Sequence, residues 1–216
     1  MASTDDPLGR FPLWARWVRR VGHLLRRIEY LPDRLEHDDR RVVIVANHRS
    51  LSDVFIAIET LEHWQIPTRC LVRAKYFQNP IAGAFLRAVG CIPAGDGKRE
   101  SIATAVETLD AGRSVAVMVE GKIVPPDRRD NDGMGEIRPG FIEIARKADA
   151  AIMPIAVTGS DDIWASRGTL PRIPWRGRPK ITLRTGPTFT VNGKTDEEVV
   201  AEARAAMTSL LTLDAD

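Results

Sequence analysis

His48 and Asp53, set five residues apart in Asn47-His48-Arg49-Ser50-Leu51-Ser52-Asp53, are the side chains whose types and spacing point most directly to chemistry. An imidazole titrates near neutrality, and a carboxylate bound to one ring nitrogen leaves the other free to take a proton. That is general-base chemistry on a hydroxyl. On a continuous helix a spacing of five sets two side chains about 140° apart. The pair can therefore meet only if His48 lies in a turn and folds back over a helix opening near Asp53. The same letters admit a structural reading. Ser50-x-x-Asp53 is a capping-box pattern, and an aspartate near a helix N-terminus is favoured by the dipole alone.

The elements on either side must position this pair. Val42-Val43-Ile44-Val45-Ala46 is an apolar, mostly β-branched run, the pattern of a buried parallel strand, and it delivers Asn47-His48 at its tip. A helix is expected from Val54 to His63, a strand over Thr68–Arg73, and a helical stretch from Lys75 to Val89 broken at Asn79-Pro80. A short strand over Gly90–Pro93, a basic loop and a helix from Ile102 to Asp110 follow. Ser114–Val119 reads as a buried strand ending in Glu120-Gly121-Lys122, ahead of a long polar loop over Pro125–Gly135. Then come a helix over Phe141–Ala148 and a strand over Ala151–Gly159, whose Pro154 by itself suggests an edge or a bulge. An irregular stretch over 164–178, a strand over Lys180–Thr185 continuing at Phe189–Val191, and a last helix opened by Thr195-Asp196-Glu197-Glu198 complete the chain. The alternation predicts an α/β fold with a parallel-dominated mixed sheet flanked by helices.

A length of 216 residues fits one domain with an appendage, and 44% hydrophobic with 28% charged residues is neither a disordered nor a membrane-spanning composition. The net charge of +2 is too small to argue for nucleic acid as a partner. Cys70 and Cys91 lack metal or redox spacing and read as buried free thiols of a reducing compartment. Asp5-Asp6-Pro7 precedes any apolar run, which is unlike a signal peptide, and no run reaches transmembrane length. The stretch from Phe11 to Ile28 has helical periodicity. Trp14, Trp17, Val18, Val21, Leu24, Leu25 and Ile28 share one face, and Arg16, Arg19, Arg20, His23, Arg26 and Arg27 the other. This pattern fits a helix in the membrane interface, where Trp favours the headgroups and Arg attracts anionic lipid, and equally one packed on the domain. Two parts are thus expected: a tail and basic amphipathic helix over 1–32, and a catalytic domain over 33–216.

Asn47-His48-x-x-x-x-Asp53 resembles the signature motif of the glycerolipid acyltransferases, the family that includes lysophosphatidic acid acyltransferase, and further segments over roughly residues 40–190 fit that family in order. Glu120-Gly121 resembles the centre of its Phe-Pro-Glu-Gly-Thr-Arg-Ser segment, although Val119, Lys122 and Ile123 depart from it. Arg138 and Gly140 fit the following basic-x-Gly position, and the strand around Pro154 resembles its apolar-Pro-apolar segment. Asp96 stands where the family has a phosphate-gripping Arg, with Lys98 and Arg99 just after it. The resemblance implies acyl transfer from a thioester, acyl-CoA or acyl carrier protein, to a lysophospholipid hydroxyl, with His48 as base and Asp53 orienting it. It implies Asn47, Lys98, Arg99, Glu120, Gly121, Lys122 and Arg138 as substrate-binding residues, no metal and no cofactor beyond the thioester co-substrate. The small middle of the 80s helix, Ala82-Gly83-Ala84, would suit either close packing or an acyl chain. A cytoplasmic protein attached peripherally to a membrane follows. The departures leave open a non-phosphorylated alcohol as acceptor, or a lipid-binding protein that retains the fold without catalysis. Ser50 and Ser52 lack a nucleophile-elbow context, and Gly95-x-Gly97 lacks the third glycine of a dinucleotide loop.

Overall fold

The apolar run at 42–46 becomes the central strand of a seven-stranded sheet in the computed structural model, which describes residues 11–35, 41–95, 98–164 and 177–213. The elements are α1 (Phe11–Leu25), β1 (Arg27–Leu31), β2 (Val42–Ala46), α2 (Asp53–His63), β3 (Thr68–Arg73), α3 (Pro80–Ala88), β4 (Ile92–Ala94), α4 (Lys98–Asp110), β5 (Ser114–Met118), α5 (Gly140–Ala148), β6 (Ala151–Thr158), β7 (Lys180–Thr185) and α6 (Asp196–Thr212). Strand order is β1-β7-β6-β2-β5-β3-β4, and only the β6–β7 pair is antiparallel. This is the parallel-dominated mixed sheet that the alternation predicts. The tail, residues 36–40, Asp96-Gly97 and the stretch 165–176 lie outside the described residues.

The β2 run is apolar throughout because both of its faces are covered. Val42 and Ile44 pack under α2 with Ile56, Ile58 and Leu61, while Val43 and Val45 face α4, α5 and α6 through Leu109, Ile142 and Met207. Pro154 sits not at an edge but between β2 and β7. Its carbonyl accepts from Gly186 N just where β7 has ended, so the missing proline N–H falls beyond the ladder. The strand expected at Phe189–Val191 reduces to one bridge, Phe189 with Ile152. Gly83 is small for packing: a Cβ there would lie 2.3 Å from the Phe77 carbonyl oxygen.

The N-terminal helix turns most of its apolar side away from the domain, the arrangement that the interfacial reading of its pattern expects. Val18, Gly22 and Arg26 face the domain, whereas Trp17 is 57% and Leu24 73% exposed. The cause is the acidic edge of α2. Arg26 pairs with Glu59 at 2.5 Å, both almost fully buried, and Arg19 pairs with Glu62 at 3.2 Å, so the two helices run antiparallel. A Cβ at Gly22 would lie 2.7 Å from both Arg26 and Glu59, so only glycine lets this ion pair close. Ile28 belongs to β1, which pairs in register with β7 from Arg27↔Lys180 to Leu31↔Arg184. A boundary after residue 32 therefore cuts off a strand of the sheet.

Removing one partner of a buried ion pair strands the other charge, so Glu59→Ala is expected to lower the unfolding free energy by about 3–5 kcal/mol. Arg19→Ala, on the half-exposed pair, is expected to cost less than about 1 kcal/mol. Urea unfolding of the two variants checks this order.

Candidate active site

The strands β2, β5, β6 and β3 run the same way, so their C-terminal ends share one edge of the sheet. Open parallel sheets bind ligands at that edge. Asn47, at the tip of β2, is fully buried. Its Nδ2 donates to Val157 O at 2.9 Å and its Oδ1 accepts from Val157 N at 2.8 Å. Both ends of the amide are thus used to extend the β2–β6 ladder by one side-chain rung. Although expected among the substrate contacts, Asn47 is placed to hold the next residue.

His48 is fixed through its main chain as well as its ring. Its N–H donates to Glu120 Oε2 at 2.5 Å, and its carbonyl accepts from Val124 N at 3.1 Å. Nδ1 donates to Asp53 Oδ2 at 2.9 Å, the same oxygen that accepts from Arg49 N at 2.6 Å and Ser50 N at 2.8 Å. The turn therefore wraps around one carboxylate oxygen, and the fold-back that the spacing demands is present. Helix α2 has Ser52 as its N-cap with no side-chain capping bond, and of the Ser50-x-x-Asp53 capping box only the carboxylate half, Ser50 N–H to Asp53 Oδ2, is present. Nδ1 carries the proton because a carboxylate can only accept, which leaves Nε2 as the basic nitrogen of a ring 17% exposed. Ser50 and Ser52 are buried and bonded to each other at 2.8 Å, sealed from any nucleophilic role.

Glu120, also expected among the substrate contacts, is 2% exposed, and both its oxygens are taken by backbone: Oε2 by His48 N, Oε1 by Gly135 N at 2.7 Å. Burial pushes its carboxyl above the usual range, against the pull of these two donors. The long polar loop that supplies Gly135 is anchored. Asp130 N donates to Met134 O and Gly133 N to Asp130 O, both at 2.8 Å, and the Met134 side chain is fully buried. From α6, Arg204 donates to Asp132 Oδ2 at 2.6 Å and to Asp130 Oδ2 at 2.5 Å.

Beside the His–Asp pair lies a cationic rim. Gly121 has φ +62°, and a Cβ there would lie 2.8 Å from Arg138 Cδ, so its small size lets Arg138 lie against it. Arg73, the last residue of β3, donates from Nε to Gly121 O at 2.7 Å. Arg138 and Lys122 are exposed, and Arg99 is exposed in the first turn of α4, which follows β4 on the same edge. Lys98 opens that helix; its side chain lies outside the described residues. Arg73 escaped the sequence reading, although its place at the end of a predicted strand was the signal available. Among the described residues no three His, Cys, Asp or Glu side chains converge as a metal site.

Behind Asn47 and Asp53 an apolar cavity of about 50 Å³ runs between α2 and the sheet, floored by Ile44, Ala116 and Ile155 and roofed by Ala57 and Leu61. Ala46, Ala57 and Ala116 are among its lining residues, and α3 does not contribute.

Residues 24–158, more than half of the chain, match the family model described as Acyltransferase, and His48, Asp53, Glu120 and Arg138 all fall inside the match. The chain belongs to the acyltransferase family. It is 27% identical over 124 residues to the probable 1-acyl-sn-glycerol-3-phosphate acyltransferase of Mycoplasma genitalium, covering 55% of this chain and 44% of that relative, so it matches less than half of the relative's length. Its fold resembles the crystal structure of the 1-acyl-sn-glycerophosphate (LPA) acyltransferase PlsC from Thermotoga maritima, with a TM-score of 0.66 at 17% identity over 92% of this chain and 77% of that one. Arg204 and the rest of α6 lie beyond the segment shared with the family model.

The Asp132 carboxyl is held below the ordinary aspartate value, first by its bond from Arg204. A depressed folded value means that the stabilisation is complete above the unfolded value and lost as pH falls through the folded one. Wild type is thus expected to exceed Asp132→Asn by about 1 kcal/mol at neutral pH. The gap should close below the ordinary aspartate range, as followed by urea unfolding across pH.

Proposed function

We propose that this chain transfers a fatty acyl group from a thioester, acyl-CoA or acyl carrier protein, to the hydroxyl of a lysophospholipid such as 1-acyl-glycerol-3-phosphate. The observation that carries the reading is the 2.9 Å contact between His48 Nδ1 and Asp53 Oδ2 at the head of an apolar cavity. In this reading His48 Nε2 takes the acceptor's hydroxyl proton as that oxygen attacks the thioester carbonyl. Asp53 keeps Nδ1 protonated and stabilises the imidazolium. When the tetrahedral intermediate collapses, the C–S bond breaks and the thiolate leaves with the proton from Nε2. The products are the ester and the free thiol, and the acceptor's own oxygen is the nucleophile, so no acyl-enzyme forms. Arg73, Lys122 and Arg138 suit the acceptor's phosphate, and Arg99 stands exposed in the first turn of α4. The cavity suits the start of the acyl chain and would widen to take the rest.

The membrane surface fits as the place where such substrates are met. Trp17, Val21, Leu24 and Leu25 of α1 are exposed, with Arg16 and Arg20 around them. Because β1 runs opposite to β2, the C-terminal end of α1 reaches the same edge of the sheet as His48. Among the described residues no helix is long and apolar enough to cross a membrane, so this contact would be peripheral.

Thiol release from palmitoyl-CoA across lysophosphatidic acid, lysophosphatidylcholine and simple alcohols tests the activity and selects among acceptors. Release should depend on the phosphorylated acceptor, and His48→Ala should lower it by about 10³-fold with the fold retained by circular dichroism. Undiminished turnover by His48→Ala, or thiol release indifferent to acceptor, would overturn the reading. Leu24→Glu should reduce sedimentation with anionic vesicles.

A further inference from the structure

We propose that Arg204, on the C-terminal helix and outside the residues that the family model matches, is a positioning residue for His48, acting through the 130–135 loop and the Glu120 carboxylate. The inference rests on His48 as the base and adds a distant residue to that site. The connection is continuous. Arg204 grips the loop at Asp130, and at Asp132 through Nε–Oδ2 at 2.6 Å and Nη2–Oδ1 at 3.0 Å. Asp132 Oδ1 also accepts from Met134 N at 3.0 Å, which fixes the residue before Gly135. Gly135 N–H is then delivered to Glu120 Oε1 at 2.7 Å, and Glu120 Oε2 holds His48 N–H.

Each link is short of alternatives. A Cβ at Gly135 would lie 2.6 Å from a Val124 methyl and 3.2 Å from Glu120 Oε1, so the loop can approach the carboxylate only as glycine. Glu120 is buried, and one oxygen deprived of its donor would lose its hydrogen bond, with the buried Arg49 guanidinium as the charge left to draw it. The carboxylate would then turn to recover a partner and release the His48 main chain. The anchor also suits transmission rather than bulk stability. Arg204 is partly exposed, while the Met207 and Ala203 side chains of the same helix are fully buried in the core and hold α6 in place without it. The chemistry is intolerant of such a shift, since a displacement of ~1 Å at a reacting group can cost ~100-fold in rate.

Arg204→Gln is expected to lower kcat for palmitoyl-CoA with lysophosphatidic acid about tenfold while KM stays within about twofold. Arg204→Lys, which keeps one carboxylate contact, should recover part of the loss. Glu202→Gln, which breaks only the neighbouring pair with Lys194, should behave as wild type. In a double-mutant cycle, Arg204→Gln should add nothing to kcat once Glu120→Ala has cut the connection. Asp132→Asn, which leaves Glu120 intact, gives the same cycle should Glu120→Ala not fold. The downfield Nδ1 proton resonance of His48 should shift or broaden in Arg204→Gln, and this readout needs no turnover. A chain inactive on every donor and acceptor would defeat the acyltransferase reading, and the His48 resonance would still decide the connection. An unmoved resonance, or a kcat loss that multiplies in full in the Glu120→Ala background, would overturn the proposal.

Discussion

A carboxylate taken out of water loses several kcal/mol of solvation unless donors replace it, and among the described residues Glu120 takes a backbone N–H on each of its oxygens. Its burial therefore constrains the main chain rather than neighbouring side chains. One N–H comes from the tip of the central strand and the other from the loop ahead of α5, so the two cannot drift apart without stranding the charge. The tip is held from two more sides, by the Asn47 amide toward β6 and by Asp53 Oδ2 toward α2. With the main chain pinned in three directions, the His48 ring needs only one hydrogen bond of its own.

Much of this was legible from the order of residues. The β-branched run, the turn, and the acidic residue five positions on led to the strand, the fold-back and the His48–Asp53 contact, because each depends on local chemistry. Asn47, Glu120 and Gly121 were found by resemblance, but what the first two do was not legible. Whether an amide or carboxylate faces a ligand or a distant backbone group is decided by chain segments 72 to 110 residues away. Arg73 and Arg204 lacked a motif altogether and became visible only when the sheet edge and α6 were in place. Pro154 misled for a similar reason: its missing donor matters only opposite a partner, and β7 has already ended there.

The N-terminal helix shows a different limit. Its periodicity is real, yet hydrophobicity alone leaves open whether the apolar side meets the interior or faces outward. The acidic pair on α2 decides it. Two guanidinium–carboxylate contacts and one glycine seam turn the Trp17–Leu24 side outward, and β1 ties the helix to the sheet. The exposed apolar side is the product of specific electrostatics.

The wiring of the central strand has a consequence for how the polypeptide matures. Val42–Ala46 finds its neighbours only in β5 and β6, and the Asn47 amide waits for Val157. During synthesis, more than a hundred further residues must leave the ribosome before that amide is satisfied. Ladders closed over such separations form slowly, and their unpaired edges attract misassociation until they close. A nascent or truncated product ending before β6 holds a histidine at the right place in the chain with nothing yet to hold it. Placement of the His48 main chain and closure of the β2–β6 ladder are one event.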